Sequence, residues 1–216
     1  MSEQRQIAII GAGNVGMALG KRLSASGMSV AYGLREGKEL PEAASTFAVA
    51  PQAMSVQEAA AWGDVIFLAV PGNVAVDAAL SLGDIKGKVL VDCNNPVRWD
   101  AGPVWAPPEE GSLSQAIAAQ LPGVSVLKAF NTFGAEFHGD PSLAGGASID
   151  VPMVGDDPDA KQLLAGICEQ AGFVPVDAGP LRNASVLENH AILWIHLATV
   201  GGQGRDFAFK MHRRSS

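Results

Sequence analysis

Residues 7–27 read IAIIGAGNVGMALGKRLSASG, and this stretch decides the fold. IAII (7–10) is a short, fully apolar run of the kind that forms a buried strand. Gly11-Ala12-Gly13-Asn14-Val15-Gly16 follows at once, and the remainder has the composition of a helix. A G-x-G-x-x-G turn between strand and helix is a dinucleotide-binding signature with a mechanism. Gly11 permits the tight turn, Gly13 lets the backbone approach a pyrophosphate, and Gly16 lets helix and strand pack closely. The helix amino terminus then offers unpaired N–H groups and a partial positive charge to the phosphates.

The following strand ends in Gly33-Leu34-Arg35, with no acid from Val30 through Leu34. An acid there would bind the ribose hydroxyls of NAD, whereas an arginine suits the 2′-phosphate of NADP. Arg35 can grip a phosphate through paired charge-assisted hydrogen bonds, and Lys38 adds a point charge. The alternative is that Arg35 is an ordinary solvated loop charge.

Further along, strands are expected near 5–10, 28–33, 64–70, 87–92 and 124–129, with helices over 14–26, 55–62, 73–82 and 112–120. Ser55 and Glu58 have the spacing of a capping box. TFAVA (46–50) is a candidate for an additional short strand. Such alternation of strand and helix gives an α/β fold of the Rossmann type, a doubly wound, mostly parallel sheet. After residue 140 the chain predicts a smaller α/β extension: a strand in VPMVGDD, a helix over 157–171, a strand over 173–177, and an apolar helix over 184–200. We therefore expect a dinucleotide-binding domain over 1–140. A small carboxyl-terminal domain over 141–216 would complete the substrate pocket. The last helix is apolar on most of its circumference and should be buried, in the fold or in a dimer interface.

Three strand ends should face the ligand, because open α/β sheets bind beyond the carboxyl ends of their strands. The first is Ala69-Val70-Pro71, the second Asn94-Asn95-Pro96, and the third Asn131-Thr132-Phe133. The Asn side chains could hydrogen-bond a nicotinamide carboxamide or a substrate, or close turns on their own backbone. Residues 93–111 read as a long loop carrying Trp99 and Trp105, either of which could enclose a planar ligand or anchor the loop.

Composition narrows the classes. A net charge of −7 argues against general nucleic-acid affinity. The one basic cluster, Lys210-Met211-His212-Arg213-Arg214, reads as a solvated terminus. Cys93 and Cys168 have no metal-like spacing and suit buried thiols in a reducing compartment. MSEQRQ lacks the order of a signal peptide, and no apolar run is long enough to span a membrane, so a cytoplasmic protein is expected. His190 and His196 are read as core or interface histidines. No metal site and no nucleophile system are legible; hydride transfer needs neither, since the cofactors carry the chemistry.

The chain resembles the NADPH-dependent F-420 reductase family, the NADP oxidoreductases of the deazaflavin coenzyme, to which the reductase domain of the STEAP metalloreductases is related. The resemblance rests on IAIIGAGNVGMALGKRL (7–23), GLRE (33–36), LKAFNTF (127–133), DVPMVGDDPDAKQLL (150–164) and GFVPVDAGPLRNASVLE (172–188). It implies NADPH across Gly11–Gly16 with its 2′-phosphate near Arg35, and a second redox partner stacked above Pro71, Pro96 and Thr132. It also implies a homodimer. Leu34 and Asn131 stand where archaeal members favour Ser and His, which places the chain nearer the STEAP-like and bacterial branch. The acceptor implied is planar, either F-420 or a flavin. Two rivals are a reductase of a small carbonyl or imine, with His190 as proton donor, and an NADPH-binding sensor without turnover.

Overall fold

A computed structural model describes residues 4–212 and 214. The amino-terminal half alternates strand and helix as β1 (Gln6–Ile10), α1 (Asn14–Ala25), β2 (Ser29–Leu34), β3 (Gln52–Ser55), α2 (Val56–Trp62), β4 (Val65–Leu68), α3 (Ala75–Leu80) and β5 (Val89–Asp92). A hairpin follows, β6 (Val97–Trp99) and β7 (Pro103–Trp105), and then α4 (Leu113–Gln120), β8 (Ser125–Lys128) and α5 (Ala135–Gly139). The chain closes with β9 (Asp150–Gly155), α6 (Pro158–Gln170), β10 (Val174–Asp177) and α7 (Ala184–Ala198).

Eight strands form one sheet in the order β10-β9-β8-β5-β4-β1-β2-β3. The six from β3 to β8 are parallel and follow the Rossmann order. Only the β8–β9 pairing is antiparallel, and β10 lies parallel to β9, so the segment after residue 140 extends the same sheet.

Strand alternation explains why both faces are covered. Ile7 and Ile9, Val65 and Phe67, and Val89 and Val91 point to one side, where Leu19 and Leu23 of α1 and Leu164 and Ile167 of α6 meet them. Ala8 and Ile10, Ile66 and Leu68, and Leu90 point to the other, against Ala59 and Ala60 of α2, Ala79 of α3 and Ile117 of α4. Continuous apolar strands are what a sheet buried on both faces requires. The capping box is present: Ser55 Oγ accepts from Glu58 N and the Glu58 carboxylate accepts from Ser55 N.

Three expectations are corrected. TFAVA is not a strand; the strand is β3, two residues further on. Phe47 turns inward against Tyr32, and the N–H and carbonyl of Val49 are both taken by Ser24 Oγ rather than by a ladder. The 93–111 segment is not loop throughout, because residues 97–105 fold back on themselves with Asp100 N donating to Gly102 O at 2.8 Å. The basic tail is not a free terminus at Lys210. That ammonium pairs with Asp150, whose other oxygen accepts from Met211 N at 2.7 Å. Arg213 of that tail, and Met1, Ser2 and Glu3 of the amino-terminal reading, lie outside the described residues.

Gly16 shows how tightly turn and helix are joined. A Cβ there would stand 2.0 Å from Gly11 O. Gly16→Ala should therefore destabilise the chain by about 1–3 kcal/mol through overpacking, read as a lowered urea midpoint at unchanged m-value. An unchanged midpoint would show that the turn yields freely.

Candidate functional site

The sheet changes direction of winding between β1 and β4, and a crevice of about 290 Å³ opens at that point. Gly13, Asn14 and Val15 from the end of β1 form one lip, Ala69, Val70 and Pro71 from β4 the other, with Cys93, Asn94 and Asn95 from β5 behind. Such switch-point crevices are where open α/β sheets hold ligands.

Each glycine of the turn has its own constraint. Gly11 has φ +111°, and a Cβ there would lie 2.2 Å from Ala69 O, so the β1 turn presses against the β4 turn. Gly13 has nothing within 4 Å of where a Cβ would stand, so its backbone faces open space. No side chain caps the amino terminus of α1. Its first N–H groups are therefore available to an anion. Ala12 is half-buried against the core beneath the turn.

At the end of β2, beside the turn, Leu34 is half-buried while Arg35 and Lys38 are exposed. Lys38 N donates to Arg35 O at 3.0 Å, so the two residues stand at the ends of one tight turn. Arg35 makes no ion pair among the described residues. An open glycine turn, an uncapped helix and two exposed cations at the end of the neighbouring strand fit a dinucleotide bearing an additional phosphate.

The β5 and β8 ends carry more structure than their sequence suggests. Asn94 Oδ1 accepts from Val70 N at 2.9 Å and its Nδ2 donates to Asp92 Oδ1 at 2.8 Å. Its side chain thus ties the β5 turn to the β4 turn. Asn95 and Asn131 join through two contacts, Asn95 Nδ2 to Asn131 O at 2.8 Å and Asn131 Nδ2 to Asn95 Oδ1 at 2.9 Å. Asn131 Oδ1 is buried without a partner. Pro96 is buried and starts the hairpin, its carbonyl accepting from Ala106 N. Trp99 is 59% exposed on the hairpin's outer edge and lines neither cavity described here. Thr132 and Phe133 border a second, much smaller cavity of about 10 Å³, roughly one water, with Asp150, His190 and Phe209 on its other walls. Phe209 packs on the His190 ring at 4.8 Å, and burial pushes the His190 pKa down. Burial pushes the Cys93 thiol well up, with Asp92 adding to it, so it stays protonated.

Beneath these turns lies a cluster that the sequence reading missed. Lys128, fully buried, donates to Asp92 Oδ2 at 2.8 Å and to Asn94 O at 2.8 Å, and pairs with Glu188 Oε1 at 3.0 Å. All three ammonium protons thus have acceptors. Asp92 also accepts from Ser114 Oγ at 2.6 Å and Asn94 N at 3.0 Å. Glu188 also accepts from Leu113 N at 2.9 Å and Trp105 Nε1 at 2.8 Å. Burial opposes the Lys128 charge, but Asp92 and Glu188 outweigh it and hold its pKa above the usual lysine value. The available signal was a single charged residue inside each of three apolar runs: VLVDC, VLKAF and SVLENHAIL.

Comparison with known proteins agrees with this geometry. Residues 6–96 match the sequence profile of the family described as NADP oxidoreductase, coenzyme F420-dependent. The chain is 28% identical over 211 residues to the F420-dependent NADP reductase of Methanothermobacter thermautotrophicus, covering 89% of this chain and 88% of that protein. It is 30% identical over 190 residues to metalloreductase STEAP3 of Rattus norvegicus, with 86% of this chain aligned, and spans 36% of that protein's length. A solved structure assigned provisionally as an F420-dependent NADP reductase, from an Arthrobacter species, superposes with a TM-score of 0.84 at 28% identity. That superposition covers 96% of this chain and 99% of the other.

Fold and relatives together define the class, an NADP-dependent oxidoreductase with a Rossmann-type sheet. Within it, the chain is similar to the NADP oxidoreductases whose profile matches residues 6–96. No helix among the described residues is long and apolar enough to cross a membrane, and none of their acidic, His and Cys side chains group as a metal site.

Removing the cation from the buried cluster leaves two carboxylates facing each other. Lys128→Met should cost about 3–5 kcal/mol of stability, measured by urea unfolding. A loss under about 1 kcal/mol would show that the carboxylates shed their charge at little cost.

Proposed function

We propose that the chain is an NADPH-dependent reductase that passes hydride from the nicotinamide to a planar acceptor, a deazaflavin such as F-420 or a flavin. It would work in the cytoplasm. The observation that carries the cofactor reading is Arg35, exposed and without an ion pair among the described residues, at the end of β2 beside a glycine turn open at Gly13. NADPH, when bound, supplies the hydride. The N–H groups at the start of α1 receive the pyrophosphate, while Arg35 and Lys38 receive the 2′-phosphate. The Ala69–Pro71 turn, held to Asn94 through Val70 N, forms the wall against which the nicotinamide end lies. Asn95, Pro96 and Asn131 border that end, and Thr132 and Phe133 stand on the acceptor's side, with Trp99 further out on the hairpin. The carboxyl-terminal segment contributes His190 and Phe209 to that side.

The reading is supported by similarity to that family and by the Asn95–Asn131 pair, which ties a residue lining the crevice to the strand end that carries Thr132. Following NADPH absorbance against F-420, FMN, FAD, ferric chelates and simple carbonyls tests the acceptor. Oxidation with a flavin or deazaflavin is expected, and oxidation with none would remove the reading. Arg35→Ala should weaken NADPH binding by about 1.5–3 kcal/mol, the scale of a hydrogen bond to a charged group, and leave NADH binding little changed. Equal losses for the two cofactors would remove the 2′-phosphate argument.

A second reading has one observation in its favour. His190 lines the same small cavity as Thr132, which is where a proton donor for a small carbonyl or imine would stand. On that reading His190→Ala abolishes turnover with carbonyls; on the hydride-to-flavin reading turnover with the flavin or deazaflavin survives the change.

We also assign the outer face of α7 to a homodimer. Val186 and Leu193 are 63% and 50% exposed there, seven residues apart and so on one side of the helix, and Val200, 51% exposed, follows just beyond its end. Leu193→Glu should shift sedimentation from dimer to monomer, and a wild-type monomer would overturn the assignment.

A further inference from the structure

The acceptor side of the site is a five-residue loop, 130–134, and its shape is strained. Phe130 has φ +59°, in the left-handed region that an aromatic residue rarely adopts. Its ring is wedged edge-on between Phe67 at 5.7 Å and Phe173 at 5.2 Å. The next three residues are Asn131, Thr132 and Phe133, and Gly134 then stands at the cap position before α5. Surrounding contacts must over-determine such a conformation for it to persist.

His138 supplies those contacts. It is fully buried on α5, with Nε2 2.9 Å from Phe130 O and Nδ1 3.0 Å from Gly134 O. The two carbonyls are the two ends of the loop. The imidazole also lies against the Phe133 ring, with centroids 4.6 Å apart. A neutral ring donates to one of the carbonyls and an imidazolium to both. Burial pushes the ring's pKa down, and the two carbonyls, with Glu136 nearby, oppose that push. α5 in turn packs on α1, the helix that begins at the phosphate turn.

We propose that His138 is the positioning residue of the acceptor-side loop, clasping Phe130 and Gly134 so that Asn131, Thr132 and Phe133 stand at a set height above the nicotinamide. This deepens the hydride-transfer reading above and rests on it for the loop's role. The physical chain is short. The ring spans the loop ends, α5 carries the ring, and α1 carries both α5 and the cofactor turn. Hydride transfer depends on placing two rings within contact distance, and a small displacement of one wall is enough to lose much of that advantage.

Two variants separate bracing from mere core packing. His138→Leu keeps an apolar side chain and loses both contacts, while His138→Gln keeps one donor. Hydrogen exchange followed by mass spectrometry reads the loop directly, without any acceptor. In the Leu variant the amides of 131–134 should exchange about tenfold faster or more, while those of β1 and β4 keep their protection. With FMN and F-420 as acceptors, the KM for the acceptor should rise about tenfold while the NADPH Kd stays within about twofold. The Gln variant should recover part of both changes. If the Leu variant fails to fold, the Gln variant carries the same readouts with smaller changes. An unchanged loop, uniform loss of protection across the sheet, or equal shifts in NADPH Kd and acceptor KM would each overturn the proposal. Should the wild type oxidise NADPH with neither acceptor, the functional reading falls, and the exchange measurement still decides the brace.

Discussion

A lysine buried between two carboxylates holds the functional end of this sheet together. Lys128 ends β8, Asp92 ends β5 and Glu188 lies in the first half of α7, and none of the three reaches solvent. Isolated in an apolar core, any one of these charges would be strongly disfavoured. Together they satisfy one another's hydrogen-bonding capacity and take in Ser114, Trp105, Leu113 and Asn94. The cluster therefore connects two strands, two helices and the hairpin at one level. Such a network gives up stability relative to an apolar core of the same volume, but it is highly directional.

That directionality reaches the crevice. Asp92 orients Asn94, and Asn94 holds the Val70 amide, so the Ala69–Pro71 wall of the crevice is set from beneath by buried charge. The opposite lip is set by sterics, with Gly11 pressed against Ala69 O and Gly16 against Gly11 O. The glycine-turn end has open backbone with exposed cations at the neighbouring strand end, and the β5–β8 end has a tied polar scaffold. This division suits a reductase in which cofactor affinity comes from phosphates and reactivity from the placement of two rings.

The parts of the fold legible in the sequence were those with local causes. Strand–turn–helix at 7–27, the capping box at Ser55 and Glu58, and the apolar runs of β4 and β5 all depend on near neighbours. TFAVA misled because Ser24, distant in sequence, takes the backbone of Val49 and Phe47 turns in toward Tyr32. The hairpin at 97–105 was hidden by prolines and an aperiodic pattern. Lys210 looks solvated in the sequence because nothing local marks Asp150 as its partner.

By itself the sequence determined the class of sheet, the phosphate turn and the missing acid before Arg35, because glycine spacing and strand periodicity act within a few residues. Only the tertiary structure decided how the strand ends are used. Asn94 turned out to be a strut, Asn95 and Asn131 a pair, and Lys128, Asp92 and Glu188 a single charged unit. The reason is physical: a buried polar group is defined by its partner, and these partners lie up to 83 residues apart in the chain, as Trp105 and Glu188 do.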